Sequence, residues 1–155
     1  MARFPFGIPN SWYLVAYSDE LEKGSLKALP YLGRNMVAMR DANGAVAVLD
    51  GYCPHLGANL AVGGTCEEGA IRCPFHGWQF DGSSGDCTQI PYCEKIPPRA
   101  QLRAWPVQEK NGMVFVWHHT EGKPPEWDFP AMPEIGHADW SEPRTFQLEL
   151  DAHVQ

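Results

Sequence analysis

Apolar and polar residues alternate in short runs along most of this chain, and a turn signal closes each run. Trp12-Tyr13-Leu14-Val15-Ala16-Tyr17 reads as a strand rich in aromatic and β-branched residues. Runs at 35–40 and 45–49 flank Asp41-Ala42-Asn43-Gly44. Asn-Gly between apolar runs is a strong hairpin signal, because both residues tolerate the positive φ of a tight reversal. A second hairpin joins 78–81 to 86–90 through Gly82-Ser83-Ser84-Gly85, and a third joins 103–108 to 113–117 through Lys110-Asn111-Gly112. The helix candidate Asp19-Glu20-Leu21-Glu22 is too short to organise a fold. From Pro9 to about His119 the pattern predicts a small all-β body, an antiparallel β-sandwich or barrel.

After His119 the pattern changes. Gly122-Lys123-Pro124-Pro125 and Phe129-Pro130-Ala131-Met132-Pro133 are Pro-rich and extended, as in a linker. Arg144-Thr145-Phe146-Gln147-Leu148-Glu149-Leu150 then alternates like one more strand, with no partner strand in view. The expected organisation is a domain over residues 1–119, then a Pro-rich linker and the first strand of an absent domain over 120–155.

Composition narrows the function classes. The 155 residues, 44% hydrophobic and 20% charged, fit one ordinary folded domain and argue against disorder. No apolar run approaches the ~18 residues of a membrane span. A net charge of −7 argues against nucleic acid as a partner. Five cysteines is an odd number, and residues 1–10 carry no apolar signal-peptide core. Metal or redox chemistry is therefore favoured over a disulfide framework, and a cytoplasmic location is expected.

Two segments carry that chemistry: Cys53-Pro54-His55-Leu56-Gly57 and Cys73-Pro74-Phe75-His76-Gly77-Trp78. The pattern is C-x-H, seventeen residues, then C-x-x-H. Each box offers one thiolate and one imidazole on a loop stiffened by proline. The glycine after each pair lets backbone come close to a bound centre. Two Cys and two His can hold tetrahedral zinc, but zinc ligands usually come grouped by type. One Cys and one His from each loop suits a [2Fe–2S] centre with two Cys on one iron and two His on the other.

On these boxes the chain resembles the Rieske domain of Rieske non-haem iron oxygenases. The resemblance implies a Rieske-type fold with two cluster-binding loops. Cys53 and Cys73 would hold the inner iron, and His55 and His76 would hold the outer iron through Nδ1. Rieske proteins of respiratory complexes carry two extra cysteines that pair, and a Ser and a Tyr whose hydroxyls bond the cluster sulfurs. The corresponding positions here are Ala58, Phe75, Trp78 and Phe80. Without those donors the extra electron is less stabilised, and a potential of roughly −150 mV is expected rather than +300 mV.

The resemblance extends to the flanks. Phe4-Pro5-Phe6-Gly7-Ile8-Pro9 with Trp12, residues 53–65, Ile90-Pro91-Tyr92, Ile96-Pro97-Pro98 and residues 113–118 are similar to the 3-ketosteroid 9α-hydroxylase oxygenase group. This favours the steroid-hydroxylase and sterol-desaturase branch over aromatic-ring dioxygenases. Such oxygenases also carry a mononuclear Fe(II) on two His and a carboxylate, in a second domain. Asp151 and His153 do not supply that set, so the iron is expected outside these residues. The implied partners are a ferredoxin or flavin reductase as donor, and an oxygenase catalytic domain of a neighbouring subunit in a trimer.

Two other readings stay open. One is a free-standing Rieske ferredoxin, which would need no segment after Gly122. The other is a zinc-stapled interaction module. Cys66, Cys87 and Cys93 match no pair motif and read as free thiols or core fillers. His118, His119, His137 and His153 read as solvated, as do Arg72 and Lys95. Trp12, Trp105 and Trp117 read as core, and Trp78 as a shield for the centre or a contact for a partner.

Overall fold

The computed structural model describes residues 7–141, 143–146, 148 and 149. Among the described residues, eleven strands form three antiparallel sheets. The first has the order β1 (Ser11–Tyr17), β11 (Met113–His118), β10 (Val107–Lys110). The second runs β2 (Ser25–Tyr31), β3 (Arg34–Arg40), β4 (Val46–Asp50), β9 (Ala104–Trp105). The third runs β5 (Thr65–Glu67), β6 (Ala70–Arg72), β7 (Gln79–Asp81), β8 (Cys87–Gln89). The three expected hairpins form as β3–β4, β7–β8 and β10–β11. The helix candidate is a single 3-10 turn over Ser18–Glu20, closed by the Tyr17 N–H donating to the Glu20 carboxylate at 2.8 Å. Among the described residues no helix is long and apolar enough to cross a membrane.

The second sheet is the shared wall of two cores. Successive strand residues point to opposite faces. Met36, Ala38 and Val48 therefore pack with Val15, Leu29, Val114 and Val116, while Val37, Met39 and Leu49 pack with Cys53, Cys73 and Phe80. Burial on both faces is why 36–39 reads as an unbroken apolar run. A register shift between Leu14 and Ala16 turns Val15 and Ala16 both inward. The third sheet and its loops lie in the chain between β4 and β9, so they form a module seated on this wall.

The Pro-rich run is packed against the body. The Trp12 and Trp117 indole N–H groups donate to the Trp127 and Lys123 carbonyls at 2.8 and 3.0 Å. Lys110 and Asn111 donate to the Phe129 and Pro130 carbonyls, both at 2.9 Å. Phe129 stacks on Phe115 with ring centroids 3.9 Å apart. This strap covers the outer face of the first sheet, where Trp12, Phe115 and Trp117 form a third small core. Residues 144–146, 148 and 149 are in no strand; Gln147 and Leu150, the rest of the strand expected there, lie outside the described residues. Residues 1–6, with the Phe4-Pro5-Phe6 similarity, and Asp151 and His153 lie outside them too.

Candidate metal centre

Cys53 and His55 lie on the loop between β4 and β5; Cys73 and His76 lie on the loop between β6 and β7. The two loops close in the same way. The Cys53 N–H donates to the Ala58 carbonyl at 2.9 Å, and the Cys73 N–H to the Trp78 carbonyl at 2.8 Å. Gly57 N–H returns to the Cys53 carbonyl at 2.8 Å, and Gly77 N–H to the Cys73 carbonyl at 3.1 Å. Both glycines have φ near +73°, at +74° and +72°, a region that residues with a Cβ avoid. The one-residue difference between C-x-H and C-x-x-H thus falls inside loops of one design.

The four donors stand as two like pairs. The Cys53 and Cys73 thiols are buried and near enough for each to feel the other's charge. Burial pushes the Cys53 thiol up to about 11, and the neighbouring Cys73 adds to the rise; the His55 and Leu56 backbone N–H groups pull the other way. Such a pair holds negative charge only against a strong local positive charge, as a bound metal provides. The His55 and His76 rings are half-buried and stand edge to face, with centroids 4.6 Å apart. His55 Nδ1 is buried with no hydrogen-bond partner. An orphaned buried nitrogen costs about 1–3 kcal/mol, which a metal bond would remove. Among the described residues no three His, Cys, Asp or Glu side chains converge as a one-metal set. Paired thiols beside paired imidazoles, with an orphaned ring nitrogen, fit a two-iron cluster of mixed ligation.

The surroundings are aromatic and apolar. The Trp78 indole lies flat on His55, centroids 4.6 Å apart and planes within 8°. Its N–H donates to the Tyr92 hydroxyl at 2.7 Å. Phe75 leans on His76 at 4.1 Å. Leu56, Phe75 and Tyr92 form an exposed rim around the imidazoles, and Phe80 lies fully buried beneath. His118, expected to be solvated, is instead half-buried at the end of β11, with its Nδ1 buried and without a hydrogen-bond partner. Cys66 is half-buried in β5, Cys87 is buried at the start of β8, and Cys93 is exposed in a turn. Arg72 and Lys95 are exposed, and Arg72 lies 3.7 Å from Glu67. Trp12, Trp105 and Trp117 are core residues. Sequence reasoning missed Tyr92 as a site residue. The available signal was Ile90-Pro91-Tyr92, a proline-stiffened turn just after the second loop's hairpin.

The Rieske [2Fe–2S] domain family matches residues 11–106. The chain is 45% identical over 147 residues to a cholesterol 7-desaturase of Xenopus laevis, covering 95% of this chain and 32% of that protein. It is 42% identical over 147 residues to a cholesterol 7-desaturase of Ciona intestinalis, covering 95% and 31%. It is 35% identical over 144 residues to the oxygenase component of a 3-ketosteroid-9-alpha-monooxygenase of Rhodococcus rhodochrous, covering 92% and 37%. A chain of the reduced oxygenase–ferredoxin complex of carbazole 1,9a-dioxygenase matches with TM-score 0.63 and 34% identity, over 72% of this chain and 29% of that one. Apo dicamba monooxygenase matches with TM-score 0.67 and 28% identity, over 77% and 38%. The chain spans about a third of the length of the curated relatives it matches.

Proposed function

The chain belongs to the Rieske [2Fe–2S] domain family, and from that premise we propose that it is the electron-transfer domain of a sterol- or steroid-oxidising Rieske oxygenase. Cys53 and Cys73 would hold the inner iron, and His55 and His76 the outer iron through Nδ1. The observation that carries this assignment is the pair of twin-closed loops presenting thiol to thiol and imidazole to imidazole, with His55 Nδ1 left unpartnered. When bound, the cluster supplies reversible storage of one electron.

The chain's own residues set the direction of traffic. The thiols lie in a core with Phe80, Leu60 and Ile71, which keeps water from the inner side. The imidazoles reach the surface, so an electron enters and leaves on the His55–His76 side. The apolar rim of Leu56, Phe75 and Tyr92 suits brief contact with a partner. We assign the donor role to a ferredoxin or a flavin reductase. The receiving mononuclear iron belongs to a catalytic domain outside these residues, in a neighbouring subunit of a trimer, with 120–155 leading toward that domain. The sterol or steroid substrate class is supported by the similarity to cholesterol 7-desaturases and to the 3-ketosteroid-9-alpha-monooxygenase component. Cys66, Cys87 and Cys93 as free thiols are compatible with the reducing cytoplasm. The strap on the first sheet favours this reading over a free ferredoxin, which needs no such segment.

An EPR spectrum of the dithionite-reduced protein, with iron, zinc and sulfide analysis, tests the proposal. A rhombic signal with roughly two irons and two sulfides per chain is expected. One zinc and no signal would overturn it.

A further inference from the structure

Trp78 links the two ligand loops. Its backbone belongs to the second loop, where its carbonyl accepts the Cys73 N–H at 2.8 Å. Its indole reaches across to the first loop and lies within 8° of parallel to the His55 ring. What fixes the indole in that plane is its far edge, where the N–H meets the Tyr92 hydroxyl at 2.7 Å. Tyr92 is itself held firmly. It sits in the turn from Ile90 to Cys93, closed by the Cys93 N–H donating to the Ile90 carbonyl at 3.1 Å. Ile90 anchors that turn in the core, and Pro91 fixes the backbone at its second position. Pro91 also packs beside Gly77, so the turn rides on the second ligand loop.

We propose that Tyr92 is a positioning residue for His55: its hydroxyl takes the Trp78 N–H and so holds the indole flat on the imidazole face. The inference rests on the ligand role proposed above for His55. An indole N–H is a donor only, so its direction is set by where an acceptor stands. The electron-rich indole face against the imidazole disfavours an added electron. The indole also keeps water off that face, and water would favour the more negatively charged reduced form. Loss of the Tyr92 hydroxyl frees the indole to tilt, and both effects then shift the centre toward reduction.

The test is Tyr92→Phe in the cluster-loaded protein, alone and combined with Trp78→Phe, which keeps a ring but has no N–H. Tyr92 is 60% exposed, so loss of its hydroxyl leaves the core intact. The midpoint potential is measured at fixed pH alongside iron and sulfide content. Tyr92→Phe is expected to move the equilibrium about threefold toward the reduced form, about 28 mV at 59 mV per tenfold for one electron. With Trp78→Phe already present, the same change is expected to move it little. No shift in the wild-type background, or an equal shift in both, overturns the proposal. Should Trp78→Phe not load, the EPR spectrum of reduced Tyr92→Phe decides: altered rhombicity supports the role and an unchanged spectrum overturns it. A wild-type protein without iron and sulfide would instead sink the ligand assignment, and this inference with it; a loaded wild type with an unmoved Tyr92→Phe sinks this inference alone.

Discussion

Gly57 and Gly77 hold equivalent places in the two Cys–His loops, each four residues after its cysteine and donating its N–H to that cysteine's carbonyl. Their surroundings differ. A Cβ on Gly57 would meet nothing within 4 Å, whereas a Cβ on Gly77 would lie 3.0 Å from Pro91 Cγ. At positive φ an alanine costs about 1–2 kcal/mol at either site. Gly77→Ala must also displace a proline ring held in its own turn. Gly77→Ala is therefore expected to lower the denaturation midpoint and the iron content more than Gly57→Ala. Equal losses in a paired urea titration would show that the loops tolerate this strain alike.

The potential is expected to be low, roughly −150 mV. The structure agrees with the sequence reason for this. Phe80 is fully buried and has no hydroxyl, and the one side-chain donor at the other key position, Trp78, points its N–H at Tyr92. The His55 and Leu56 backbone N–H groups pull the Cys53 thiol down, against the larger effect of its burial. A redox titration with a midpoint above roughly +100 mV would contradict this account.

Arg40 and Glu109 tie the second sheet to the first. The guanidinium forks onto both carboxylate oxygens at 2.6 and 3.0 Å, and also donates to the Leu21, Gly44 and Ser18 carbonyls. Arg40 is only 11% exposed, so its removal leaves several carbonyls without a donor; Arg40→Met is expected to lose about 2–3 kcal/mol. The Arg40 hydrogen bond holds the Glu109 carboxyl below its ordinary range, against the opposing effect of burial. A depressed folded value means the stabilisation is complete above the unfolded carboxyl range, about 4.3, and fades as pH falls through the folded value. Glu109→Gln is expected to be the less stable protein at pH 7. Its gap to wild type should close as urea midpoints are followed below about pH 4.3.

The parts of the fold that were legible share one property: the chemistry is local. Asn43-Gly44, Asn111-Gly112 and the Gly82–Gly85 tetrapeptide mark reversals between neighbouring strands, and those hairpins form. The two Cys–His boxes are local too, and the fold pairs them like with like, the Cys53 thiol near that of Cys73 and the His55 ring against that of His76. What was not legible depends on distant partners. β2 is broken in pattern by Lys27 and Pro30, and its pairing with β3 over seven positions decides it. β5 and β6 are three residues each, joined across Glu68 at φ +48° and Gly69 at φ +82°. Too short to show a period, they exist because β7 extends them into a sheet. Tyr92 became a site residue only because Trp78 turns its indole edge toward it.

The strap is the largest such case, and it carries the last test. Prolines 124, 125, 130 and 133 make the run extended, as the sequence shows, but extension does not decide between a free linker and a bound one. Trp127 and Phe129 decide it. Phe129 stacks on Phe115 at 3.9 Å with its N–H donating to Gln108 at 2.7 Å, and the Trp127 carbonyl receives the Trp12 indole. Phe129→Ala is expected to lose about 1–2 kcal/mol, less than a fully buried Phe because its ring is half-exposed. A chain stopped after His119 would lose acceptors for two indoles and uncover Trp12, Phe115 and Trp117 together, so it should melt several degrees lower. Cluster content should survive, because the ligand loops lie in the other core. If the shortened chain melts together with the full one, the strap contributes nothing to the body, and the free-ferredoxin reading regains its footing.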